Sequence, residues 1–145
     1  MKRDGQSVYR LFDHTADLGM EIYGDDPRAL FTHAARALFE VLVSSVGHAD
    51  ACETGEDIEV TGEDWPDLMV NWLRELLYLW AGRQLLLVKL HIDTIEETRI
   101  CAHLETCRFD PQRHLIEKEI KAVTYHQVET GPHGGRWRAR VIFDT

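Results

Sequence analysis

Basic charge is what this sequence is short of. It sets 16 Lys and Arg against 25 Asp and Glu, a net charge of -9 with His neutral. Independent binding to naked RNA or DNA draws on a basic patch that displaces phosphate counterions, so the balance argues against that class. A protein that docks on a basic partner, or holds a hard cation, fits it better. Cysteine is scarce too, with only Cys52, Cys101 and Cys107. An odd number without secretory features argues against a disulfide framework and for reduced thiols in the cytosol. Long hydrophobic runs are missing: the longest, around "LLYLW", is far too short to span a bilayer, so no membrane partner is expected. The opening "MKRDGQS" has no apolar stretch behind it, so no signal peptide is read and a cytoplasmic location is expected. Gly-rich phosphate loops, HExxH helices and G-x-S-x-G turns are absent. Ser44 and Ser45 have no acid or base at a readable spacing, which leaves serine nucleophile chemistry without support.

What remains is an ordinary globular composition, 44% hydrophobic and 28% charged over 145 residues, enough for one domain with one core. Residues 1–7 read as a flexible N-terminus and 8–145 as the domain. Val8–Phe12 and Leu18–Tyr23 have the alternation of short strands, with "DHTAD" between them. "GDDPRALFTHAARALFEVLV" starts a helix: Asp25 and Asp26 suit the positive end of its dipole, and Pro27 suits a first helical position. Leu30, Ala34, Leu38 and Leu42 line its apolar face, with His33 and Arg36 off the stripe and expected in solvent. "SSVGHADACETGED" reads as a loop and "DIEVTG" as a strand. A second helix covers "EDWPDLMVNWLRELLYLWAGR", with Pro66 near its start and Gly82 near its end. Its Met69, Trp72, Leu73, Leu76 and Trp80 form an apolar face, read as core in preference to a partner-binding stripe. Four strands follow, "LLLVKLHI", "TRICAHLETC", "EIKAVTYHQVE" and "RWRARVIFD", the last two joined by the turn "TGPHGG". The expected fold is α+β: a mostly antiparallel β-sheet packed with two amphipathic helices in a single domain.

Three charged residues fall at strand ends: Asp17 after the polar turn, Lys121 within "IKAVTYH", and Asp144 just past "VIF". If the last strand packs beside the first, Asp144 and the terminal oxygens of Thr145 converge on Asp17. Oxygen-only ligands of that kind suit calcium, magnesium or manganese rather than zinc or copper. Otherwise these are surface carboxylates near chain ends. His14, beside Asp13 and Asp17, is either a turn residue or a general base, the latter within a metal-dependent hydrolase that also uses Asp17 and Lys121. Cys101, His103, Glu105 and Cys107 share one face of a regular strand, a zinc-compatible set at a spacing that matches no structural zinc motif; free thiols are the alternative.

With "DHTADLGMEIYG", "WLRELLYLW", "EIKAVTYHQVE" and "WRARVIFDT" in this order over roughly residues 8–145, the chain resembles the archeases. The resemblance implies a small α+β accessory factor of the tRNA-splicing type of RNA ligase. Such a factor promotes the ligase's GTP-dependent guanylylation and multiple-turnover RNA ligation without being an enzyme itself, and meets RNA only through the ligase. It further implies a divalent cation, calcium in the family, held by the acids that match Asp17 and Asp144 with an oxygen of Thr145, and a functional role for Lys121. Asp13 and His14 are accessory candidates. The family often ends in Asp followed by Ile or Val, where this chain has Asp144-Thr145. A chaperone-like binding module that uses the hydrophobic helix faces is the alternative reading.

Overall fold

The structure is a computed structural model that describes residues 8–14, 17–45 and 54–145. The predicted N-terminal tail (1–7) and the Thr15–Ala16 tip of "DHTAD" lie outside the described residues, as does Cys52. The chain folds in the order β1 (Tyr9–His14), β2 (Asp17–Gly24), α1 (Pro27–Leu42), β3 (Val43–Ser45) and β4 (Thr54–Thr61). It continues with α2 (Trp65–Arg83), β5 (Leu85–Glu96), β6 (Arg99–Arg108), β7 (His114–Ile116), β8 (Ala122–His133) and β9 (Arg136–Asp144). All strand pairings are antiparallel, in a four-stranded sheet β1-β2-β9-β8, a three-stranded sheet β4-β6-β5 and the short pair β3-β7. This is the expected α+β single domain.

Both helices start where their capping chemistry says they should. Asp26 accepts from the Ala29 amide (2.8 Å) and Asp64 from the Asp67 amide (2.9 Å), with a proline in each first turn. Asp25 and Asp26 precede α1, as read. α2 ends at Arg83, the last residue of the stretch read as helical, with Gln84 as its cap. Gly82 is helical, and Gln84 takes the left-handed conformation (φ 56°), its amide bonding back to Leu79 and Trp80.

The α1 stripe Leu30, Ala34, Leu38 and Leu42 is fully buried, as are Met69, Trp72, Leu73 and Leu76 of α2. Trp72 donates its indole N–H to the Phe31 carbonyl (3.0 Å), so the largest core side chain leaves no unsatisfied donor. Leu18, Met20 and Ile22 of β2 and Ala139, Val141 and Phe143 of β9 complete the core from the sheet side. The Trp/Leu stripe is therefore core. His33 is not simply solvated, because its Nδ1 lies 2.7 Å from the Tyr23 carbonyl. It ties α1 to β2.

Other sequence expectations shift locally. Ser44, Ser45 and Thr54–Asp57, read as loop, lie in β3 and β4; the three-residue β3 and β7 are too short to show an alternation. "EIKAVTYHQVE" enters the sheet only at Ala122, and β8 carries an irregularity between Thr124 and Glu129, with Gln127 at φ 52°. The β8–β9 turn is Gly134–Gly135, both at positive φ, where the absence of a Cβ removes the steric cost. On β6 the alternation breaks at Thr106–Cys107. Cys107 enters the core, while Cys101, His103 and Glu105 stay on the outer side.

Candidate functional site

Pairing register decides what the two ends of the chain can do together. β9 pairs with β2 rather than with β1, because β2 is the central strand and β1 covers its other edge. Leu18 stands opposite Phe143, so one step further along this ladder Asp17 faces Asp144. On the flanking ladders His14 pairs with Asp17 and Ala122 with Asp144. One row across the four strands thus reads His14, Asp17, Asp144, Ala122. The Lys121 amide donates to the Asp144 carbonyl (2.7 Å), setting Lys121 at the corner beside this row. The exposed side chain of Lys121 precedes a strand whose Val123 is core and whose Tyr125 hydroxyl donates to Asp67 of α2 (2.7 Å). Asp13 pairs with Leu18, one rung away from the row and on the alternate face.

Directly opposed carboxylates in an antiparallel pair have Cβ atoms about 4.5–5.5 Å apart and repel each other. A hard cation between them removes that repulsion, and the donor set of Asp17, Asp144 and Thr145 is oxygen-only, which suits such an ion. Among the described residues no three His, Cys, Asp or Glu side chains are already arranged around a metal position. Two carboxylates and a chain-end oxygen leave the remaining coordination to water or to a partner. The zinc-compatible set on β6 does not assemble: Cys107 is buried, and the His103 ring pairs with Asp57 of β4 (2.8 Å).

A second charged group on the same outer face was not foreseen. Glu21 is buried (6% exposed) although its strand position points away from the helices. Its Oε1 accepts from Arg10 (2.7 Å) and from the Tyr23 hydroxyl (2.8 Å), its Oε2 accepts from Arg140 (3.1 Å), and Arg138 lies 4.0 Å away. Burial pushes its pKa up. The hydrogen bonds from Arg10 and Tyr23, with the charges of Arg10 and Arg138, outweigh burial and hold it below the ordinary value. The Phe12 ring packs against two of the same arginines, with the Arg10 guanidinium 5.8 Å from its centroid. It lies across Gly19, where a Cβ would meet the ring at 2.2 Å, and the Arg140 guanidinium sits 4.2 Å from its centroid. The available sequence signal was "RWRAR", whose alternation puts three arginines on the face opposite Trp137 and Ala139.

The chain's relatives agree with this frame. The Archease protein family (MTH1598/TM1083) matches residues 9–145. The chain is 34% identical over 140 residues to protein archease of Methanosarcina mazei, covering 94% of each. It is 38% identical to protein archease of Pyrococcus furiosus, covering 92% of this chain and 95% of that one. Its fold matches the solution structure of Methanobacterium thermoautotrophicum protein 1598 with a TM-score of 0.74 at 30% identity, over 95% of this chain and 99% of that one. A Thermotoga maritima protein (TM1083) described as an archease and possible chaperone has the same fold, with a TM-score of 0.63 at 22% identity, over 92% and 94% of the two chains. No helix among the described residues is long and apolar enough to cross a membrane. With a family match over nearly its whole length and relatives above 30% identity, the chain belongs to the archease family.

Proposed function

We infer that this archease is an accessory factor, not an enzyme, that activates an RNA ligase of the tRNA-splicing type in the cytoplasm. In this reading Asp17 and Asp144, with an oxygen of Thr145, hold a calcium, manganese or magnesium ion. The observation that supports it is the β2–β9 register, which ends at Leu18 opposite Phe143, the residues next to Asp17 and Asp144. A divalent ion there would supply positive charge to phosphates handled by the partner. The chain's own contribution is a rigid row of donors on hydrogen-bonded strands, with Lys121 placed at its corner by a ladder bond. The acidic balance of the whole chain suits docking beside a nucleotide pocket lined with cations.

A chaperone-like role draws on the description of the Thermotoga protein. The helix faces it would use are spent in the core, since Leu38, Trp72 and Leu76 are fully buried. A metal-dependent hydrolase using His14, Asp17 and Lys121 predicts phosphoester hydrolysis by the isolated protein.

The test is RNA ligation by the cognate ligase under limiting GTP, with and without the protein. Added protein is expected to raise guanylylation and restore turnover. Asp17→Asn, Asp144→Asn and Lys121→Met are each expected to lower that gain roughly tenfold or more at an unchanged melting temperature. Full activation by all three variants overturns the site. No effect of the parent protein overturns the function.

A further inference from the structure

Four of the chain's 16 basic residues share one face. Arg10 of β1 and Arg136, Arg138 and Arg140 of β9 all lie on the outer side of the four-stranded sheet, against the carboxylates of Glu21 and Glu129. None of the four is a lysine. A guanidinium has five N–H donors in a planar fork suited to bidentate capture of carboxylate or phosphate. Arg10 and Arg140 each spend a donor on Glu21, and Arg138 pairs with Glu129, while the Arg136 guanidinium lies 5.1 Å from the Tyr23 ring centroid. Part of this donor capacity reaches the surface, with the side chains 59% exposed at Arg10, 26% at Arg140 and 22% at Arg138. Beside Arg138, Gly131 has no side chain, which leaves a depression of about 190 Å³ between Glu129 and His133.

We propose that this arginine face is a docking surface for an extended, acidic segment of a partner protein. Three observations select that occupant. Arg136, Arg138 and Arg140 alternate on one straight strand, so they recur about every 6.6–6.8 Å, the spacing of every second side chain in an extended peptide. The face already demonstrates its chemistry on Glu21, a carboxylate held by two of these arginines. The aromatic rings are covered, Phe12 by Arg140 and Tyr23 by Arg136, so they offer no open platform for stacking bases. The net charge of -9 over the whole chain also opposes a long polyanion more than a short acidic segment. The surface is separate from the Asp17–Asp144 row. Glu21 lies four residues along β2 from Asp17, roughly 13 Å away, so one partner could span both.

The experiment uses the full chain and a labelled, alternating Glu–Ser peptide of about ten residues, roughly 33 Å when extended and long enough to pass all three arginines. Its Gln–Ser counterpart and a single-stranded RNA of similar length are the controls. The Glu–Ser peptide is expected to bind with a strong salt dependence, and the Gln–Ser peptide not to bind. Arg136→Gln, whose only described partner is the Tyr23 ring, is expected to weaken binding severalfold at an unchanged melting temperature. Arg136→Gln with Arg138→Gln is expected to weaken it roughly tenfold or more. Equal binding by parent and both variants overturns the proposal, as does failure of the parent to bind. Tighter binding of the RNA than of the acidic peptide assigns the face to nucleic acid and also overturns it. None of these readouts depends on metal or on the ligase.

Discussion

The two larger sheets each turn one face outward, and the two faces handle charge in opposite ways. On β1-β2-β9-β8 one carboxylate, Glu21, is enclosed by guanidinium groups and a tyrosine hydroxyl. On the outward face of β4-β6-β5 the charges form exposed pairs: Arg99 with Glu59, and His103 with Asp57. The first arrangement is a network in a locally low dielectric, where removing one member strands the others. In the second, each pair keeps its water, gains little and is screened by salt. The number of ion pairs is thus a poor guide to their worth; enclosure decides it.

Glu21→Gln should break this contrast most strongly. Its side chain is 8% exposed and accepts three hydrogen bonds, two from arginines, so the loss is expected to be about 2–3 kcal/mol. A pH series provides the confirming signature. Because the folded-state pKa of Glu21 is depressed, its stabilisation is complete above the unfolded value of about 4.3 and is lost as pH falls through the folded value. Denaturant melts of the parent should weaken through that acidic window, and the variant should lose part of that dependence. A variant as stable as the parent at pH 7 would place Glu21 among the ordinary surface pairs.

Gly19→Ala probes the ring beside the charges rather than the charges themselves. A Cβ there collides with the Phe12 ring, which must swing out from beneath the Arg10 and Arg140 guanidiniums. The expected cost is about 1–2 kcal/mol, with the core beneath unchanged because Leu18 and Met20 face the other way. Phe12→Ala in the same background should cost little more, since the contact is already lost. Additive losses would mean that the ring and Gly19 act independently.

These two predictions concern residues the sequence did not single out, and the reason is physical. The helices were legible because caps and apolar stripes are local: Asp26, Asp64, Pro27 and Pro66 mark their starts without reference to anything distant. The ends of short strands were not, because β3 and β7 exist only through their pairing with each other. The end of α2 at Arg83 was legible too, although Gln84, not a glycine, takes the left-handed cap conformation. At the candidate site, Asp17, Lys121 and Asp144 were legible as strand-end charges, but their common row depends on β9 choosing β2 as neighbour. Glu21 looked like a routine outward residue. What encloses it comes from β1 and β9, 11 and 119 residues away.

The smallest expected effect lies on the three-stranded sheet. His103 donates its Nδ1–H to the Asp57 carboxylate, and that hydrogen bond, with the Asp57 charge and against desolvation, raises its pKa above the ordinary 6.5. The Asp57 side chain is 83% exposed, so the pair is open to water and salt. A raised folded-state pKa gives stabilisation that is fully present below the unfolded value near 6.5 and is lost as pH rises through the folded one. Asp57→Asn should therefore return the His103 titration, followed by NMR, to about 6.5. Glu105, 3.8 Å from Nε2, leaves a small residual upward pull. The thermal midpoint should hardly move at any pH, since an exposed pair contributes little to folding. A large loss of stability in this variant would show the second face to be as enclosed as the first. The contrast between the sheets would then lie in composition alone.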